Sequence, residues 1–174
     1  IITDMTNPEN DIYMQNLMTR KVQLPFRVIG ENIKDNLNQK LQILEGKCIN
    51  EGYVKTNSIN IITYSSGIIK GNNVIFEVVF EALICRPVEG MKIKCIIKNI
   101  TKAGIRAETD ESVSPVVIFV ARDHYYNNDY FTSRKEKDKI TINVIGIRYE
   151  LNDKYISIIA DLFSLKDKQT KGGE

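Results

Sequence analysis

Apolar positions in this chain recur at two different periods, and the change of period divides it. Between Ile29 and Leu44 the spacing is helical: Ile29, Ile33, Leu37, Leu41 and Leu44 fall on one face. Lys34, Asp35, Asn38 and Lys40 fall elsewhere on such a helix, and Gly46 stands just past its last apolar position, where a left-handed cap is wanted. Elsewhere the period is two. Arg20–Leu24 alternates through Val22 and Leu24 until Pro25 ends it. Ile59–Thr63 is a β-branched run, followed by turn signals at Ser65-Ser66-Gly67 and Lys70-Gly71-Asn72-Asn73. Val74, Phe76, Val78 and Phe80 then alternate with Ile75, Glu77, Val79 and Glu81, as in a half-buried strand. The first half therefore predicts a strand, a helix and several antiparallel strands, an α+β unit whose sheet covers the helix stripe.

After Arg86-Pro87 the pattern is strand only. Met91, Ile93, Cys95 and Ile97 form one apolar face, Ile105 and Ala107 a second, and Ile118 and Val120 a third. In the fourth, Ile140, Ile142 and Val144 give way to Ile145, Ile147 and Tyr149. That phase slip beside Gly146 predicts a β-bulge of the kind that closes barrels. Ile156, Ile158, Ala160 and Leu162 make the fifth. Five short strands with one apolar face each predict an all-β, five-stranded OB barrel. The expected organisation is an extension over residues 1–18, an α+β domain over 19–85, the OB domain over 86–164 and a polar tail over 165–174. No Gly/Ser-rich linker separates the two domains, so a rigid junction is expected.

Composition narrows the function. With 43% hydrophobic and 26% charged residues the chain is not of the disordered class. Its net charge of +2 excludes a binder that works by charge excess, so any basic surface must come from arrangement on one face. Cys48, Cys85 and Cys95 form no CxxC pair, and their odd number, without a signal-peptide pattern, points to a reducing compartment. With one histidine there is no zinc ligand set. Reduced, metal-free packing cysteines are expected, with no cofactor. No apolar run approaches the ~20 residues of a membrane helix.

Glu45-Gly46-Lys47-Cys48, Gly52-Tyr53-Val54, Gly67-Ile68-Ile69 and Leu83-Ile84-Cys85-Arg86-Pro87-Val88-Glu89-Gly90-Met91 occur in this order, and in it they resemble the stalk subunit of multisubunit RNA polymerases. That family comprises the seventh subunit of the eukaryotic polymerase II and its counterpart in the archaeal enzyme. Asn99-Ile100-Thr101-Lys102-Ala103-Gly104-Ile105 is similar to the first turn of an S1-type OB domain, and Val117-Ile118-Phe119-Val120 to its third strand. The resemblance covers Arg20 to Leu162, and its character is similar to versions carried by large nucleocytoplasmic DNA viruses. It implies a tip domain that docks on the polymerase body near the clamp, an S1 barrel near the RNA exit path, and a smaller helical partner subunit alongside. It also implies an intracellular place with the transcription machinery: virion or cytoplasm if viral, nucleus if cellular.

Candidate residues follow. S1 barrels bind single-stranded RNA by stacking bases on strands two and three. The corresponding positions here are Ala103, Arg106 and Phe119, so two of the usual aromatic or histidine positions are replaced. Phe119 is suited to stacking and Arg106 to stacking or phosphate pairing, while Lys94, Lys98 and Lys102 are placed to follow a backbone. The plain alternative is a solvated strand face with Phe119 at the rim or in the core. Tyr64, Ser65, Gly67, Ile68, Ile69 and Lys70 are the candidate polymerase-docking loop, or simply a hairpin that needs positive φ at its glycines. Tyr125, Tyr126, Tyr130 and Phe131 either pack on a partner subunit or cap the barrel. Arg134–Lys139 is a mixed-charge run, read as solvated surface. Asp123-His124 lacks any accompanying Ser or Cys nucleophile motif, so no catalytic residue is assigned and the chain is read as a non-enzymatic subunit. The rival reading is a free-standing S1-domain RNA-binding protein of translation or RNA decay, which explains the barrel but not the first half.

Overall fold

In the computed structural model, residues 12–122 and 133–163 are described. They fall into two compact units that meet in sequence at Arg86 and Pro87.

The first unit is built on two long strands. β1 (Tyr13–Pro25) and β6 (Asn73–Cys85) pair antiparallel along their whole lengths. β2 (Cys48–Ile49) and β3 (Gly52–Val54) extend the sheet beside the C-terminal end of β6, whereas β4 (Asn60–Tyr64) and β5 (Ile68–Lys70) pair with its N-terminal part. Alternation carries Val74, Phe76, Val78, Phe80, Ala82 and Ile84 of β6 to the buried face. The helix α1 (Ile33–Leu41) lays Leu37 and Leu41 on that face beside Val22 and Leu24, and burial of each leucine contributes about 1.5–3 kcal/mol.

Two elements differ from the sequence pattern. The helix is shorter than the stripe, because Asn32 at its start is left-handed (φ 72°) and breaks the run. Ile29 and Leu44 still pack on the core from outside α1, the latter from a 3-10 turn that precedes a left-handed Gly46 (φ 71°). β1, in contrast, starts at Tyr13, well inside the stretch read as an extension. Its polar residues there are admitted because β1 is the end strand of the sheet.

The second unit is a closed barrel of β7 (Lys92–Ile100), β8 (Gly104–Glu108), β9 (Val116–Ala121), β10 (Lys139–Arg148) and β11 (Ile156–Leu162). Around the barrel the order is β7-β8-β9-β11-β10 and back to β7, with β9 and β11 parallel. This is the five-stranded OB arrangement expected from the pattern. Ile93, Ile97, Ile105, Ile118, Ile142, Ile156 and Ile158 fill the interior. The bulge in β10 falls between Val144 and Gly146, at the phase slip, and turns Ile145 out to solvent.

Candidate functional site

The barrel offers one outward row. Arg106 of β8 lies opposite Asn99 of β7 on one side and Phe119 of β9 on the other. Phe119 in turn pairs with Ile159 of β11. The chain neighbours Ile105, Ile118, Val120, Ile158 and Ala160 point inward, so the pleat sends Arg106, Phe119 and Ile159 to solvent, and Asn99, just past the β7 irregularity, is exposed as well. At ordinary strand spacing the row is about 14 Å long. Phe119 is 39% exposed, which places its ring on the surface rather than in the core.

The other cations predicted for this face do not all join it. Lys98 occupies the irregularity between Ile97 and Asn99, and Lys102 lies in the exposed turn between β7 and β8, so both flank the Asn99–Arg106 end. Lys94 is set apart. It pairs with Thr141 on β10 and lines a cavity of about 320 Å³ with Lys139, Asp110 and Glu111. Arg106 is also not a bare charge: its guanidinium reaches Glu108 at 3.3 Å, an exposed pair that salt screens. The row thus combines one ring, one guanidinium held partly by its neighbour, one amide and one aliphatic side chain. Ile159, 56% exposed, and Ile145 beside the bulge were not anticipated. The signal for Ile159 was present, since it is an apolar residue on the outward phase of Ile156–Leu162.

In the first unit the predicted docking residues form the β4–β5–β6 end of the sheet. Ser65 binds Glu77 twice, its N–H donating to the Glu77 carbonyl and its Oγ accepting from the Glu77 N–H, each at 2.9 Å. Tyr64 meets Phe76 edge-on at 6.1 Å between centroids. Gly71 has φ 61° in the two-residue β5–β6 turn, as expected, but Gly67 does not share that reason. A Cβ on Gly67 would stand 2.3 Å from Val74 Cγ1, so the position requires close approach and not a left-handed backbone. Ile68 and Ile69 are 69% and 68% exposed on the short β5 strand. The Phe26 N–H donates to the Asn72 carbonyl, which brings the turn after β1 to the same hairpin. Phe26 and Val28 are exposed in that turn, while Ile68 and Ile69, being consecutive on β5, point to opposite faces of the sheet. Phe26 and Val28 were missed because a Phe-Arg-Val turn after proline has no period to reveal it.

Tyr125, Tyr126, Tyr130, Phe131 and the Asp123-His124 pair lie outside the described residues. Cys48, Cys85 and Cys95 are buried and not joined in disulfides, and burial pushes the Cys95 thiol up to about 12, which keeps it neutral. Among the described residues no group of His, Cys, Asp or Glu is arranged to hold a metal, and no helix is long and apolar enough to cross a membrane.

No protein-family model matches the chain. Individual relatives do, along most of its length. A protein of Acanthamoeba polyphaga mimivirus, provisionally named DNA-directed RNA polymerase subunit L376, is 28% identical over 90% of this chain and 85% of its own. DNA-directed RNA polymerase II subunit 7 of Arabidopsis thaliana is 23% identical over 86% of this chain and 98% of its own. The polymerase II subunit RPB7 of Glycine max is 24% identical over 87% and 94% respectively. The matches span both the α+β unit and the barrel, so the chain is similar along most of its length to proteins named as RNA polymerase subunits, seventh subunits of polymerase II among them.

Proposed function

We propose that this chain is a non-catalytic stalk subunit of a DNA-directed RNA polymerase. It docks on the polymerase body through the β4–β6 end of its first unit, near the clamp, and its barrel meets nascent RNA near the exit path. A smaller helical subunit is its neighbour in the stalk, and its place in the cell is with the transcription machinery. The observation that carries this reading is the similarity to named polymerase subunits along nearly the whole chain, α+β unit included. A free-standing S1 protein would need only the barrel.

The exposure of Ile68 and Ile69, one on each face of the β5 edge, supports docking of this end into a partner that encloses it, because exposed isoleucines on a small unit are stabilised by burial at an interface. The Asn99–Arg106–Phe119–Ile159 row supports RNA contact of a weak, sequence-tolerant kind. Weak affinity suffices in a complex that already holds the transcript nearby, since effective concentration replaces intrinsic affinity. Affinity purification of the tagged full chain from cells that express it tests the reading. Stoichiometric recovery of the large polymerase subunits is expected. Recovery of ribosomes, or of a decay complex without polymerase, favours the free-standing alternative and refutes this one.

A further inference from the structure

Glu108 stands at a crossing on the barrel surface. It follows Arg106 by two residues on β8, so the pleat turns both outward. Across the sheet it pairs with Ile96 of β7 and Val117 of β9. Ile96 pairs in turn with Lys139 of β10. A second outward row, Lys139–Ile96–Glu108–Val117, therefore runs beside the row that holds Arg106 and Phe119. At ordinary strand spacing the cations of the two rows lie within about one Debye length of Glu108.

The carboxylates beside these cations all come from one stretch, Glu108 to Glu111. Glu108 holds the Arg106 guanidinium at 3.3 Å. Asp110 holds Lys139 Nζ at 3.8 Å. Glu111 lines the 320 Å³ cavity together with Lys94 and Lys139. Lys98 and Lys102, by the turn between β7 and β8, form no ion pair with the stretch. These pairs do not shape the loop that carries them. The Thr109 N–H donates to Ser114 Oγ at 3.1 Å, the two hydroxyls lie 2.9 Å apart, and the Glu111 N–H donates to the Thr109 carbonyl at 2.8 Å. Exposed ion pairs of this kind add little to stability. Their effect is on the charge that the surface presents.

We propose that Glu108, Asp110 and Glu111 set the preference of the barrel for unpaired over duplex nucleic acid. The proposal rests on the reading of the Arg106–Phe119 row as the RNA face. Two terms draw nucleic acid to such a face. Phosphate attraction is open to any strand, and a duplex has the higher charge density. Stacking on Phe119 is open only to a base that is not already stacked within a helix. Specificity is the difference between the affinities for the two ligands. Carboxylates beside the cations lower the phosphate term for both ligands and leave the stacking term untouched. What remains favours the unpaired strand.

The test titrates the full chain with a labelled single-stranded RNA and with an RNA duplex of equal length, over a salt series. Wild type is compared with a Glu108→Gln, Asp110→Asn, Glu111→Gln variant, and thermal melts verify that both are folded. Up to three freed phosphate contacts steepen the log–log salt slope by about 2 for the single strand and about 2.7 for the duplex. At low salt the triple variant is expected to bind the single strand about tenfold tighter and to gain more for the duplex. Its single-strand preference then falls by about two- to fourfold. Asp110→Asn alone, at a side chain 73% exposed, is expected to show the same signs at smaller size. Lys139→Gln is expected to change little in wild type, where Asp110 holds the lysine, and to reverse part of the gain in the triple variant. Unchanged titrations in the triple variant, with Arg106→Glu, Phe119→Ala still lowering binding, overturn the proposal and leave the RNA face standing. A gain confined to the single strand overturns it in the same way. A gain for both ligands that Phe119→Ala does not reduce for the single strand removes the row as the RNA face, and the proposal with it. Absence of RNA binding by every chain at low salt overturns both.

Discussion

Replacing Ile68 and Ile69 together by aspartate tests the docking surface most directly. Full burial of an isoleucine is worth about 1.5–3 kcal/mol relative to exposure. Since Ile68 and Ile69 are 69% and 68% exposed, roughly two thirds of that remains to be gained at an interface. That is about 1–2 kcal/mol each and about 2–4 kcal/mol together, or a loss of about 30- to 700-fold in affinity on truncation. Aspartate adds the desolvation of two carboxylates, so the loss exceeds the truncation figure. The isolated protein is not expected to suffer, because neither side chain belongs to its core and surface substitutions of this kind stay within about 0.5 kcal/mol. The assay is reconstitution: polymerase lacking this subunit is titrated with wild-type or variant chain, and bound fraction is read after size exclusion. Thermal melts of the free chains verify that both are folded. Wild-type affinity in the double variant refutes the assignment of this surface. So does a loss that tracks a lowered melting temperature, because the effect is then unfolding and not docking.

Two further outcomes follow from particular contacts. In an Arg106→Glu, Phe119→Ala double variant, binding of a labelled single-stranded RNA should fall by roughly 1–3 kcal/mol for the lost stacking platform, with a shallower salt slope from the lost cation; equal titration curves for variant and wild type at low salt would refute the row as the RNA face. Gly67→Ala should lower the melting temperature by the overpacking cost of about 1–3 kcal/mol, since its Cβ would meet Val74 Cγ1 at 2.3 Å, and an unchanged melt would show that the hairpin shifts freely.

What the sequence made legible was whatever repeats at a fixed period. The inward isoleucines of the barrel, the bulge beside Gly146 and the Leu37–Leu41 face of α1 each follow from alternation or helical spacing, because burial imposes the period. The misses share a cause. The polar, irregular composition of residues 1–18 reads as an extension and the alternation shows only from Arg20, but an end strand that pairs on one side tolerates polar side chains such as Gln15 and Asn16. Ile29 stands four residues before Ile33 and so shares the helical spacing, and it does pack on the core, but the left-handed Asn32 between them keeps it out of the helix. Site residues were harder still, since a site is defined by neighbours across strands. The alternation of β8 and β9 sends Arg106 and Phe119 outward, but only the register makes them adjacent and adds Asn99 and Ile159. The same register removes Lys94, which shares the phase of Lys98 along β7 yet faces β10, Asp110 and Glu111. In a closed barrel each strand has two partners, so residues in phase on one strand divide between two faces according to which partner is beside them. Period alone therefore assigns inside and outside, and pairing decides which exposed residues can act on one ligand.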